Sequence, residues 1–167
     1  MKNKRWMLIM VLLAAASLAI SACSIAVDRN PDGSLRLEVD LPESTIQEEI
    51  AAALNDPLIT DLQVDLRQGY IFVTADRKRV LGDETDMLSF RLDLGTHDGH
   101  LTAVISDAKI NDEPVNEAYV TVWNQRLAQR LEEAAKRNPD SSLQSVSVGD
   151  DALNFIWWVE TARSRGG

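Results

Sequence analysis

One thiol, two imidazoles and one short basic run are the side chains of this 167-residue sequence whose types and spacing invite chemistry. The thiol is Cys23, the only Cys, so no intrachain disulfide can form and the folded part must be held by its core. The imidazoles stand in His97-Asp98-Gly99-His100, where two ring nitrogens and a carboxylate are raw material for a metal site. Two His on either side of a tight turn need not converge, and no His-Glu-x-x-His occurs. The quartet therefore reads as a solvated hairpin turn, and no metal is expected. Arg77-Lys78-Arg79 has the charge to meet anionic head groups, yet three charges at a strand end read more simply as a solvated face. Nucleophilic catalysis needs an activated Ser or Cys beside a base. There is no Gly-x-Ser-x-Gly, phosphate loop or dinucleotide fingerprint, and scattered carboxylates do not make an acid and base pair. The expectation is a protein that is not an enzyme and takes no cofactor.

A different capacity lies in two segments that are apolar on both sides. Leu153, Phe155, Trp157 and Val159 alternate with Asn154, Ile156 and Trp158, and Ile71 and Val73 alternate with Tyr70 and Phe72. Such segments are central strands covered above and below, strands closed by a partner, or walls of a groove for an acyl or isoprenoid chain. Tyr70, Phe72, Ile156 and Trp158 are thus the candidate face for an apolar ligand or a protein interface.

The elements that must position these residues follow from periodicity. Leu35, Leu37, Val39 and Leu41 alternate with polar residues as in a one-sided strand. Ser44-Thr45-Ile46-Gln47 fits a capping box, and Ile46, Ile50 and Leu54 form one stripe of a helix that stops at Asn55-Asp56-Pro57. Leu62 to Arg67 and Tyr70 to Ala75 flank Gly69 as a hairpin. Leu88 to Leu94 and Leu101 to Ile105 flank Asp98-Gly99, the strongest hairpin signal present. Val120, Trp123, Leu127, Leu131 and Ala134 mark a long amphipathic helix that ends before Asn138-Pro139. Val146 and Val148, then Leu153 to Glu160, make a last hairpin. The order β-α-β-β-β-β-α-β-β predicts an α+β fold, a curved antiparallel sheet of about seven strands with two helices.

Ahead of these elements, Lys2, Lys4 and Arg5 precede an apolar run from Trp6 to Ile20 that is broken only by Ser17. Its length, roughly 22 Å as a helix, is short of the roughly 30 Å hydrocarbon core, so it reads as a secretory signal rather than a permanent span. The run ends in Ile20-Ser21-Ala22-Cys23, which resembles the lipobox of bacterial lipoproteins. The resemblance implies that residues 1–22 are removed and that Cys23, as the new first residue, carries a diacylglyceryl group and further acyl groups such as palmitate. It also implies a site at the cell membrane or outer membrane, on the extracytoplasmic side. Ser24 after the cysteine goes with the outer membrane in enterobacteria-like lipoproteins. Two or more acyl chains at ~0.8 kcal/mol per buried methylene anchor stably, where one would be reversible.

The expected parts are then the leader 1–22, a lipidated end and short tether 23–34, one α+β domain 35–160, and a frayed tail 161–167. Loss of the leader removes three cations and no acid, which carries the net charge from −9 to −12. So acidic a chain excludes nucleic acid as partner and is repelled by anionic lipid, which makes an acyl anchor useful. In element order the domain also resembles small extracytoplasmic lipid-handling domains of bacteria, in which a curved sheet grips a long helix. That implies a lipid-anchored protein that binds an apolar ligand at the envelope. The alternative is a structural or scaffolding lipoprotein that uses its apolar sheet face as an interface.

Overall fold

The apolar and polar alternation forms strands where expected, and the computed structural model, which describes residues 24–54, 57–137 and 139–161, adds two more. The order is β1 (Ser24–Arg29), β2 (Leu35–Pro42), α1 (Glu43–Leu54), β3 (Ile59–Arg67), β4 (Tyr70–Lys78), β5 (Thr85–His97), β6 (His100–Ile110), β7 (Glu113–Pro114), α2 (Glu117–Ala135), β8 (Ser141–Val148) and β9 (Ala152–Val159). The leader, Cys23 and residues 162–167 lie outside the described residues.

The class is α+β, but the sheet expected to be single is two antiparallel sheets, ordered β1-β2-β9-β8 and β3-β4-β5-β6-β7. The division follows from long-range pairing that local periodicity does not carry: β2 takes β9 as neighbour, with Leu37 opposite Trp157 and Leu41 opposite Leu153. Residues 24–29 of the expected tether are a strand, because Asn30-Pro31-Asp32-Gly33 folds them back onto β2. That turn is closed by hydrogen bonds from Asn30 N to Ser34 O and from Gly33 N to Asn30 O, with Gly33 at φ +88°. At the other end, the Thr161 hydroxyl donates to Gly33 O, so the first residue of the expected tail is tied to the same turn.

The core lies between the sheets. Val64, Leu66, Ile71, Val73, Leu88 and Phe90 of the five-stranded sheet cluster with Val148 and Leu153 of the other and with Ile46 of α1. Val120 and Trp123 of α2 pack against this cluster.

Edges explain how the helices dock. β3 is a free edge, and α1 lies along it, the Leu66 N–H donating to Glu43 Oε2 at 2.9 Å and the Val64 N–H to Gln47 Oε1 at 3.3 Å. The helix starts at Glu43, ahead of the expected capping box, and Gln47 serves the sheet rather than Ser44. On the opposite side the Asn124 amide of α2 takes the Ile105 N–H at 2.7 Å and gives a proton to the Ile105 carbonyl at 2.9 Å, as a neighbouring strand would. β8 is closed by two turns, the Leu143 N–H donating to Gly99 O and the Gly69 N–H to Val148 O. Gly99 is needed there twice over. Its φ is +75°, and a Cβ would stand 2.5 Å from Ser142 Oγ.

Candidate functional site

Tyr70 and Phe72 sit on β4 with their backs to the core. Ile71 and Val73 between them point inward and are 1% and 0% exposed, so the alternation of the strand sends the two rings to the outer face of the five-stranded sheet. Register then decides what covers them. Arg67 of β3 lies opposite Tyr70, and Arg91 of β5 lies opposite Phe72. The Arg67 guanidinium stands 4.7 Å from the Phe72 ring centre and 6.0 Å from that of Tyr70, and Arg91 stands 4.2 Å from that of Tyr70. These are cation–π distances.

Each arginine is aimed by a carboxylate two residues away on its own strand. Arg67 Nε donates to Asp65 Oδ2 at 2.8 Å, and Arg91 Nε donates to Asp93 Oδ1 at 2.8 Å. The Arg91 hydrogen bond, helped by the Ser106 hydroxyl, holds Asp93 below the usual carboxylate range against the opposing effect of desolvation. The result is a row of two rings and two oriented cations on a sheet surface. Strand alternation made the rings legible in the sequence, but nothing local announced the arginines as their cover.

Ile156 and Trp158 do not join this row. They lie on β9 in the other sheet, opposite Glu38 and Arg36 of β2, and Trp158 is 47% exposed. Their neighbours on that face are polar: Asn154 donates to Asp40 at 2.8 Å and to Glu38 at 3.2 Å, while Ser24 donates to Asp40 at 2.6 Å. The Asn154 bond first, and the Ser24 bond second, lower the pKa of Asp40. The expected face is therefore two separate surfaces, one on each sheet. Cys23 lies outside the described residues, one position before β1.

The remaining sequence candidates are at the periphery. His97 and His100 face each other across the β5–β6 turn, and the His97 and Asp98 side chains are 80% and 84% exposed. No grouping of three His, Cys, Asp or Glu able to hold a metal occurs among the described residues. Of the basic run, Arg79 pairs with Glu84 and with Asp86 at 2.7 Å. The hydrogen bonds from Arg79 and from Asn111 bring Asp86 down to about 2. Among the described residues no helix is long and apolar enough to cross a membrane.

Tyr70, Phe72, Ile156 and Trp158 line neither of two clefts near these surfaces. One, of about 320 Å³, opens between α1 and the start of β3 and is lined by Gln47, Glu48, Ala51, Ile59, Thr60, Asp61 and Leu62. The other, of about 180 Å³, lies where α2 meets the second sheet and is lined by His100, Leu101, Leu131, Ala134, Ala135, Ser141 and Trp157. Compared with protein-family models, with curated proteins and with solved structures, the chain matches none.

Proposed function

We propose that this chain is a lipid-anchored, extracytoplasmic protein of the cell envelope that works by holding a protein partner on its sheet surface, without catalysis. The lipobox-like Ile20-Ser21-Ala22-Cys23 supports the anchor. The observation that carries the binding surface is the row of Arg67, Phe72, Tyr70 and Arg91, in which two cations stack on two rings and each is oriented by its own aspartate. Rings and arginines are the residues in which the centres of protein interfaces are enriched, since rings bring large contact area with few rotatable bonds and the guanidinium brings a planar fork of donors. The row lies on a sheet face outside both clefts, which suits a protein surface better than an acyl chain, whose burial needs concavity.

A second reading keeps the apolar ligand and moves it from Tyr70 and Phe72 to the cleft beside Trp157, whose walls of Leu101, Leu131 and Ala134 favour it. Its volume of about 180 Å³ falls below the roughly 300–1,000 Å³ of ordinary ligand pockets, so only part of a chain would enter.

Mass spectrometry of the protein purified from its native membrane in mild detergent tests both. The expected result is a mass that begins at an acylated Cys23, together with a stoichiometric protein that is lost from Arg91→Ala while the thermal unfolding midpoint stays near that of the parent. A stoichiometric noncovalent lipid that disappears in Leu131→Trp, with no protein partner, overturns the first reading in favour of the second. A Cys23→Ser chain that is still trimmed normally and still partitions with membranes removes the anchor from either reading.

A further inference from the structure

β1 is chemically two-sided. In register with β2, Ile25 lies opposite Val39, Val27 opposite Leu37 and Arg29 opposite Leu35, so these residues share one face. Ser24, Ala26 and Asp28 share the other with Asp40, Glu38 and Arg36. Ile25 and Val27 are 60% and 57% exposed, although they continue the face that buries Leu153 and Leu143 at the far side of the same sheet. Arg29, exposed at the end of this apolar row, makes no ion pair among the described residues, whereas Arg36 on the opposite face pairs with both Asp28 and Glu38.

Building on the proposed anchor, we infer that the face carrying Ile25, Val27 and Arg29, with Leu37 and Val39 beside them, rests on the lipid surface to which Cys23 is tied. What selects a lipid surface is the place where the chain enters the fold. β1 starts at Ser24, directly after Cys23, so there is no free tether between anchor and sheet. At about 3.3 Å per residue, Ile25 and Val27 stand within roughly 7 and 14 Å of the acylated residue along the chain. An amphipathic segment at the head-group boundary sinks its apolar side roughly 5–10 Å. The charges agree with that orientation. Arg29, which makes no ion pair among the described residues, shares the apolar face and meets anionic head groups, while Asp28, Glu38 and Asp40 are on the face turned away, as befits a strongly acidic chain beside a negative surface.

The test uses the lipidated chain in phosphatidylcholine vesicles whose acyl chains carry a quencher. Because the native thiol is occupied by lipid, a fluorescent thiol label can be placed on Val27→Cys and, separately, on Asp28→Cys. Quenching by the acyl chains is expected to be several-fold stronger at position 27 than at position 28. Phosphatidylglycerol should strengthen it at position 27, and Arg29→Gln should abolish that gain. Equal quenching at the two positions in a protein whose mass shows acylated Cys23 overturns this inference and leaves the anchor standing. A label at position 27 that is shielded from water but unquenched, in a chain that sediments as a dimer, gives the face to a second copy and also overturns it. A mass without acyl chains removes the proposed anchor and this inference together.

Discussion

In the five-stranded sheet the β3 edge and the stretch of β6 that the short β7 leaves uncovered both meet side chains from helices, whereas in the four-stranded sheet β8 is closed by two turns and β1 by nothing among the described residues. The first sheet also buries its inner face over Ile71 and Val73, while the apolar face of the second runs out into Ile25 and Val27. The same alternating pattern thus has two fates. Where a helix or turn returns to pair with the backbone, the sheet behaves as core. Where none returns, equally apolar residues remain free to meet something else, and in this protein that end is the one beside Cys23, the residue proposed to carry the lipid.

The contrast predicts its largest effect inside the closed sheet. Ile71→Ala, at 1% exposure, should lower the free energy of unfolding by about 2–5 kcal/mol through lost burial and a residual cavity. Ile25→Ala, at 60% exposure, should change it by no more than about 0.5 kcal/mol. Urea unfolding of the two variants measures both, and a comparable loss at position 25 would mean that β1 belongs to the core after all.

The edges sharpen the comparison at the next level down. Asn124→Leu keeps side-chain volume but leaves the Ile105 N–H and C=O without partners, at a cost of about 1–3 kcal/mol. Hydrogen exchange gives a local reading. The Ile105 amide should exchange slowly in the parent and quickly in the variant, while the outward amides of β1 exchange quickly in both. Protection along β1 in the free protein would erase the difference between the two sheets.

The smallest effect concerns acid. Asp86 is held at about 2, below its ordinary value of 3.8, chiefly by the hydrogen bond from Arg79 and then by that from Asn111. A carboxyl group with a depressed folded value contributes stability that is present above 3.8 and is lost as pH falls through about 2. Arg79→Gln should flatten the acid limb of the stability curve in that window and raise the titration midpoint of Asp86 seen by NMR. An unchanged midpoint would show that Arg79 does not sustain the shift.

Much of this fold was legible. Leu88 to Leu94, Asp98-Gly99 and Leu101 to Ile105 gave β5, its turn and β6, because a strand with one buried face writes its period into adjacent residues. Val120 to Ala134 gave α2 for the same reason at helical spacing. β1 was not legible, since Ile25-Ala26-Val27 is too short to separate from a tether and its pairing needs a turn plus a partner strand. Gln47 misled because a capping box and an edge cap use the same side chain, and the choice depends on where β3 lies. Of the candidate site, the rings of Tyr70 and Phe72 could be read as an excess of apolar residues. Arg67 and Arg91 could not be assigned to them without the register of three strands.

The sequence by itself determined seven of the nine described strands, both helices, the main turns and the lipobox-like approach to Cys23, since each is written in a few neighbouring residues whose period or order has a local physical cause. Only the tertiary structure decided which strands share a sheet, that the expected apolar face divides between two sheets, and that Ile25, Val27 and Arg29 stand together on a surface nothing in the described chain covers. Those outcomes depend on pairings across long stretches of chain, where the gain appears only after the intervening residues have been ordered, and no short pattern can record it.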